Sequence, residues 1–352
     1  MKTLETFGWN DFFQAQVEDW DGAIGRVTLE HKHMYRIANE SGEWLGELSG
    51  KFRFDAVCKE DYPAVGDWVL FKPLPNEKKA VIQHVLNRKS RFIRQSAGSK
   101  IEQQIVAANV DYVFIVSSLN RDFNVRRIER YVLLAYDSGA TPVIVLTKKD
   151  LCEDIEEKRA EVEEVAIGVP VVCVNNIERE GYDELSPYLL EGKTIALLGS
   201  SGVGKSSLLN GLMNQDVQKT LSVRDGDDKG RHTTTHRELF SLPNGALIID
   251  TPGMRELKLW EGEESLDSTF ADIEELARTC RFNDCQHESE PDCAVKKAID
   301  DGSLAVERLK SYKKLQREIA FSMRKQDEQL ALIEKQKWKK IHKHIRKMPR
   351  KR

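Results

Sequence analysis

The chain of 352 residues predicts a multidomain α/β protein, and three observations carry that expectation. From Val110 to Asp250, short apolar runs rich in β-branched residues (VDYVFIVSS, PVIVLT, VPVVCV, KTIALLG, ALIID) recur, the first four separated by amphipathic stretches. That is the pattern of buried strands in a mainly parallel sheet covered on both faces. Before them, Gly8, Gly22, Gly25, Gly42, Gly46, Gly50 and Gly66 punctuate short segments such as AIGRVTLE, HMYRIAN and DWVLFKP, as in a β-meander or small barrel with glycines at its turns. Beyond about Trp260 strand signals cease, and a Cys/His cluster precedes helix-prone sequence rich in Lys, Glu, Gln and Leu. The expected domains are residues 1–100, 101–260 and 261–352.

In the first domain, strands carrying Phe52, Phe54, Trp68 and Phe71 would suit base stacking, but aromatics in a small barrel are more often core. In the second, Ile128, Tyr131, Val132 and Ala135 repeat at helical spacing, with Asn124 placed to cap that helix and Gly139 to end it. KTIALL reads as a strand, SLLNGLM as the helix after it, and HRELFSL as a further strand.

Composition excludes several classes. No stretch approaches the roughly 20 apolar residues of a membrane helix. Glu5 and Asp11 with no apolar run argue against a secretory signal, and six cysteines are too few and scattered for a disulfide scaffold. A cytoplasmic protein without a membrane partner is expected. The net charge of −3 hides an asymmetry: Lys335–Arg352 carries ten Lys or Arg, two His and no acid, leaving −13 for residues 1–334. Such a tail suits a polyanion.

The strongest motif is Gly199-Ser200-Ser201-Gly202-Val203-Gly204-Lys205-Ser206, between a predicted strand and a predicted helix that begins near Ser207. It matches G-x-x-x-x-G-K-[ST], in which glycines let backbone N–H groups wrap a phosphate at a helix N-terminus. Lys205 would reach the β- and γ-phosphates and Ser206 would ligate magnesium. A second element, Thr147-Lys148-Lys149-Asp150, ends the strand PVIVLT. Asp150 can accept from guanine N1–H and its 2-amino group, donors that adenine lacks on that edge, while the Lys148 stem covers the ring. Asp250-Thr-Pro-Gly253 matches D-x-x-G, with Asp250 holding magnesium through water and the Gly253 amide sensing the γ-phosphate. Between them lies Gly230-Arg231-His232-Thr233-Thr234-Thr235-His236. A threonine here, with Thr234 the candidate among the three, would complete the magnesium shell and order the segment when the γ-phosphate is present.

The guanine element precedes the phosphate loop, the reverse of Ras-like order, so the domain reads as a circularly permuted P-loop GTPase core. With GRHTTT, DTPG, AVGDWV and NRKSRFIRQ, the chain resembles the RsgA-like, ribosome-small-subunit-dependent GTPases of bacteria over nearly its whole length. The resemblance implies an N-terminal oligonucleotide-binding (OB-type) β-barrel, a permuted GTPase core and a C-terminal α-helical zinc domain. It further implies a role in late maturation of the small ribosomal subunit, with rRNA contact and with GTP hydrolysis to GDP stimulated by that subunit. Asn175-Asn176 departs from the Ser-Ala of many GTPases and leaves the guanine O6 contact from that loop open.

Cys280-x4-Cys285-x-His287-x5-Cys293 offers four soft or borderline ligands, suited to a closed, structural zinc site, and the spacing matches the family motif. Where Ras-type enzymes carry a water-positioning Gln after the D-x-x-G glycine, this chain has Met254. His232 is therefore the candidate catalytic residue, a neutral imidazole able to accept a proton from water, which the resemblance also supports. A monomer is expected. A competing class is an RNA-binding module whose nucleotide site is structural. A P-loop ATPase is disfavoured by Asp150.

Overall fold

The computed structural model describes residues 3–31, 34–95, 103–213, 237–250 and 263–324. The N-terminal strands β1 (Ala23–His31), β2 (Met34–Asn39), β3 (Gly42–Leu48), β4 (Trp68–Leu74) and β5 (Lys79–Val85) run in the order β1-β2-β3-β5-β4, and β4 pairs back onto β1. The result is a closed five-stranded barrel, antiparallel except for β3–β5. Closure removes the free edges that a sheet this small would otherwise expose. Val27, Tyr35, Ile37, Val69, Phe71 and Ile82 fill it.

Two of the expected turn glycines have a different role. Gly25 and Gly46 lie inside β1 and β3, where a Cβ would come within 2.5 and 2.7 Å of the Ile37 side chain. They are there because the barrel packs Ile37 against bare backbone. The aromatics divide likewise. Trp68 and Phe71 are fully buried core residues, whereas Phe52 and Phe54 sit on a helix (Gly50–Asp55) rather than a strand. Ser49 caps that helix by accepting from Phe52 N at 3.0 Å, a local bond that outweighs the β preference of the aromatics. Phe54 is left 70% exposed.

A hairpin of β6 (Arg91–Gln95) and β7 (Gln103–Ala108) spans the expected boundary at residue 100. The core sheet follows: β8 (Tyr112–Ser118), β9 (Thr141–Thr147), β10 (Val171–Cys173), β11 (Thr194–Leu198), β12 (Arg237–Ser241) and β13 (Leu247–Asp250). The strands β10-β9-β8-β11-β13 are all parallel, and they are the five apolar runs of the sequence. β12 is antiparallel to β13 and pairs on its other side with β1, through Leu29↔Glu238 and Glu30↔Arg237. Barrel and core thus share one sheet of eleven strands. Arg26, fully buried, stitches the same junction by donating to the carbonyls of Phe7, Gly66 and Asn109. Burial lowers its pKa to about 10, with the charges of Asp111 and Asp67 opposing.

The helix Val125–Asp137 covers one face, burying Ile128, Tyr131, Val132 and Ala135 as the spacing requires. Asn124 Oδ1 accepts from Arg127 N at 2.9 Å, and Gly139 follows at φ +84°. C-terminal helices Glu263–Thr269, Ala271–Ala277, Ala294–Asp300 and residues 306–324 pack on it, sharing one apolar cluster with the sheet. Arg308 is buried at that junction.

Candidate functional site

In a parallel sheet all carboxyl ends lie along one rim, where α/β proteins bind ligands. Here the rim collects Thr147 ending β9, Asn175 after β10, Gly199 after β11 and Asp250 ending β13. Gly199 begins a loop, Ser200–Gly204, that leads into the helix Lys205–Met213. Glycine is required by close approach at Gly199, where a Cβ would lie 2.3 Å from Val116 O, and by backbone conformation at Gly202, φ +77°. The loop curls back so that Lys205 Nζ donates to Gly199 O at 2.8 Å and Ser200 O at 2.5 Å. An ammonium is thereby held over a loop of backbone amides at a helix N-terminus, an arrangement for an anion. Ser206 and Ser207 are exposed in the helix's first turn, and Val203 anchors the loop in the core.

The 147–150 segment is tied directly to this loop. Buried Thr147 donates Oγ1 to Val203 O at 2.5 Å, and Lys148 Nζ donates to Gly202 O at 2.7 Å. Lys148 adopts φ +59°, turning the chain so that the 3-10 turn Lys149–Leu151 presents Asp150 outward. Lys149 pairs with Glu180 at 2.6 Å, and that bond raises its pKa. Asp150 is exposed and makes no side-chain hydrogen bond among the described residues, leaving both carboxylate oxygens to accept from a ligand.

The Asn175-Asn176 departure also joins the site. Asn176 Nδ2 donates to Gly204 O at 3.2 Å and its Oδ1 accepts from Tyr182 OH at 3.1 Å. Burial pushes the Tyr182 phenol up to about 12, so it stays a donor. Asn175 turns inward and caps its own loop, accepting from Ile177 N at 2.9 Å. Asn176 therefore braces the phosphate-loop end of the adjoining loop.

Asp250 stands beside Lys205. Burial raises its carboxyl pKa, and the Lys205 charge opposes the shift. The Asp250 carboxylate and the exposed Ser206 hydroxyl both offer oxygen donors, the type that fits a hard cation such as Mg2+. His232, Thr234 and Gly253, with Met254 and the Lys335–Arg352 tail, lie outside the described residues.

Sequence reasoning missed Asp122 and Arg127, which follow β8 and reach the loop through Ser200. No motif marks them, since their position depends on which strand neighbours β11. It missed Arg308 as well. That guanidinium uses all five N–H donors: on Asp272 (Nε 2.5 Å, Nη2 2.8 Å), Glu129 (2.7 Å), Val165 O (3.2 Å) and Thr269 O (3.1 Å).

Away from the rim, Cys280, Cys285, His287 and Cys293 bring their ligand atoms within 4.8 Å of one another. Cys280 Sγ is 3.9 Å from Cys293 Sγ and 3.7 Å from His287 Nδ1, and the latter is 3.4 Å from Cys293 Sγ. Tetrahedral zinc with Zn–S near 2.3 Å places sulfurs about 3.8 Å apart. The donor set therefore fits a closed metal site. Cys293 also caps the helix Ala294–Asp300, accepting from Lys296 N at 3.5 Å, and so fixes the cluster to the fold.

Comparison with known proteins agrees with this geometry. The RsgA GTPase family matches residues 85–260, and a family described as 50S ribosome-binding GTPase matches residues 194–351. A protein of Listeria innocua named small ribosomal subunit biogenesis GTPase RsgA 1 is 46% identical over 97% of both chains. YjeQ from Thermotoga maritima superposes with a TM-score of 0.63 at 31% identity, over 84% of this chain and 98% of that one. YloQ, described as a circularly permuted GTPase, superposes at 0.60 with 27% identity, over 84% and 94%. No helix among the described residues is long and apolar enough to cross a membrane.

Proposed function

The chain belongs to the RsgA GTPase family, and from that premise we propose that it hydrolyses GTP while bound to the small ribosomal subunit. In this reading it acts late in that subunit's maturation and leaves when subunit-stimulated hydrolysis has produced GDP. The observation that carries the reading is the convergence of Thr147–Asp150, the Gly199–Ser206 loop and Asp250 on one rim of the parallel sheet, tied together by Thr147 to Val203 and Lys148 to Gly202. The permuted chain order leaves that rim intact, because the site is defined by strand neighbours and not by sequence order.

Each residue then has a task. Asp150 accepts both guanine donors, Lys148 covers the base, and Lys149 is held aside by Glu180. The loop amides and Lys205 bind the phosphates, with Lys205 already poised on Gly199 and Ser200. Ser206, Thr234 and, through water, Asp250 would hold magnesium, which would supply charge neutralisation to the bound phosphates. Gly253 reports the γ-phosphate. His232 accepts a proton from the attacking water, a task Met254 cannot perform.

The relative matching over nearly the full length is named for the small subunit, whereas the 50S description attaches to a match that omits the barrel. We therefore take the small subunit and its rRNA as the partner. The flanking units suit it: a barrel over residues 1–100 and a helical domain over 261–352, with the permuted GTPase core over 101–260 between them. The Cys/His cluster is assigned a structural zinc, since four filled positions leave no site for a catalytic water. A cytoplasmic monomer accommodates all of these. Sedimentation with purified small subunits, in GTP-analogue and GDP forms over a salt series, tests the proposal. Tighter binding in the analogue form is expected, with a shallower salt slope after deletion of Lys335–Arg352 and its ten cations. Equal binding in both nucleotide forms would refute the release step.

A further inference from the structure

Ser200, the second residue of the phosphate loop, is fixed from outside its motif. Its hydroxyl donates to Asp122 Oδ2 at 2.9 Å and accepts from Arg127 Nη1 at 2.9 Å, while Arg127 Nη1 also donates to Asp122 Oδ2 at 2.8 Å. The hydroxyl proton and one lone pair are both committed, so the side chain has one orientation. Its carbonyl accepts from Lys205 Nζ at 2.5 Å. Ser200 is thus held at side chain and backbone together, immediately before Ser201 and Gly202.

Asp122 and Arg127 are poorly suited to a purely structural task. Their side chains are 44% and 34% exposed, and ion pairs in such surroundings add little to fold stability. Their base is firm. Arg127 sits in the first turn of the Val125–Asp137 helix, whose Glu129 is gripped by buried Arg308 and whose Arg130 makes a two-bond fork with Glu318. Arg127, and then Ser200, hold the Asp122 carboxyl below the usual carboxylate range. A rigid helix therefore delivers a charge-assisted contact to a loop otherwise built of small residues.

We propose that Arg127, held by Asp122, is a positioning residue for the nucleotide phosphates and acts through Ser200. The proposal rests on Gly199–Ser206 being the phosphate loop. Loop amides meet the phosphates of GTP and GDP alike, so loosening the loop weakens ground state and transition state together, which appears in KM and not in kcat.

The test uses the full chain with Arg127→Ala, Ser200→Ala, the double variant, Arg127→Lys and Asp122→Asn. GTP hydrolysis is measured with and without small subunits, and binding is measured with a fluorescent GDP. Arg127→Ala and Asp122→Asn should each raise KM for GTP roughly 5- to 30-fold and weaken GDP by a similar factor, the usual size of coupling between contacting residues. kcat should stay within about twofold. The double variant should be no worse than Arg127→Ala alone, and Arg127→Lys should recover part of the loss. An unchanged KM in Arg127→Ala, a fall in kcat alone, or losses that multiply in the double variant would each overturn the proposal. Lys205→Ala separates the two levels. Abolished nucleotide binding there upholds the phosphate loop whatever Arg127 does, and retained binding would remove the premise itself.

Discussion

Replacing Arg308 by Met should loosen the C-terminal helices from the core far more than removing any surface pair. The Arg308 side chain is 4% exposed, and Glu129 below it is 0% exposed. Met keeps the length and apolar stem but withdraws five hydrogen bonds and the cation stacked 4.8 Å from the Phe270 ring centroid. Among the described residues, Glu129 then keeps only Arg126, at 2.7 Å and partly exposed, and the Ser311 hydroxyl at 2.8 Å. Breaking one partner of a buried pair costs about 3–5 kcal/mol. At 1.4 kcal/mol per decade, amide exchange in residues 263–324 should accelerate by roughly two to four decades where local opening governs it. Hydrogen exchange read by mass spectrometry resolves that segment from the barrel, which should be unaffected. This matters because a chain of this architecture does not unfold as one two-state unit. Pairing Arg308→Met with Glu129→Met should restore much of the loss, since removing both charges costs less than orphaning one. Acceleration below about threefold in the single variant, or a double variant clearly worse than the single, would refute the reasoning.

Asp150→Asn should weaken GTP sharply and favour xanthine nucleotides, because an amide cannot accept from both guanine donors but can donate to a 2-oxo group; equal affinity of the unmutated chain for ATP and GTP would contradict this. His232→Ala should leave nucleotide affinity nearly intact while lowering subunit-stimulated turnover by ~10²–10⁴, the usual range for a positioned general base, and survival of the full stimulated rate would remove His232 from the chemistry. Cys285→Ser should release the metal and unfold roughly residues 270–300, because a structural site supplies folding free energy directly. Elemental analysis of chelator-free protein should give one zinc per chain, and a metal-free, folded preparation would contradict the assignment.

The parallel core was legible because its strands are covered on both faces and so read as continuous apolar runs, Tyr112–Ser118 and Thr141–Thr147 being the clearest. The nucleotide motifs were legible because phosphate chemistry fixes both residue type and spacing within a few positions. The missed features are those that depend on distant chain segments meeting. Among the described residues, β12 joins the core to the barrel through two residue pairs with β1, too few to leave a pattern. Gly25 and Gly46 look like turn glycines until Ile37 is seen against them. Ser200 meets Asp122 across 78 residues, and Arg308 meets Glu129 across 179. Asn176, conspicuous as a departure, gained a role only when Gly204 was found beside it.

The most direct test of the functional proposal is steady-state turnover of GTP and of ATP by the full chain, with and without purified small ribosomal subunits. GTP hydrolysis should be slow alone and strongly accelerated by the subunits, with ATP inert in both settings. A GTP rate that the subunits leave unchanged, or ATP turnover equal to that of GTP, would contradict a subunit-stimulated GTPase whose base is read by Asp150.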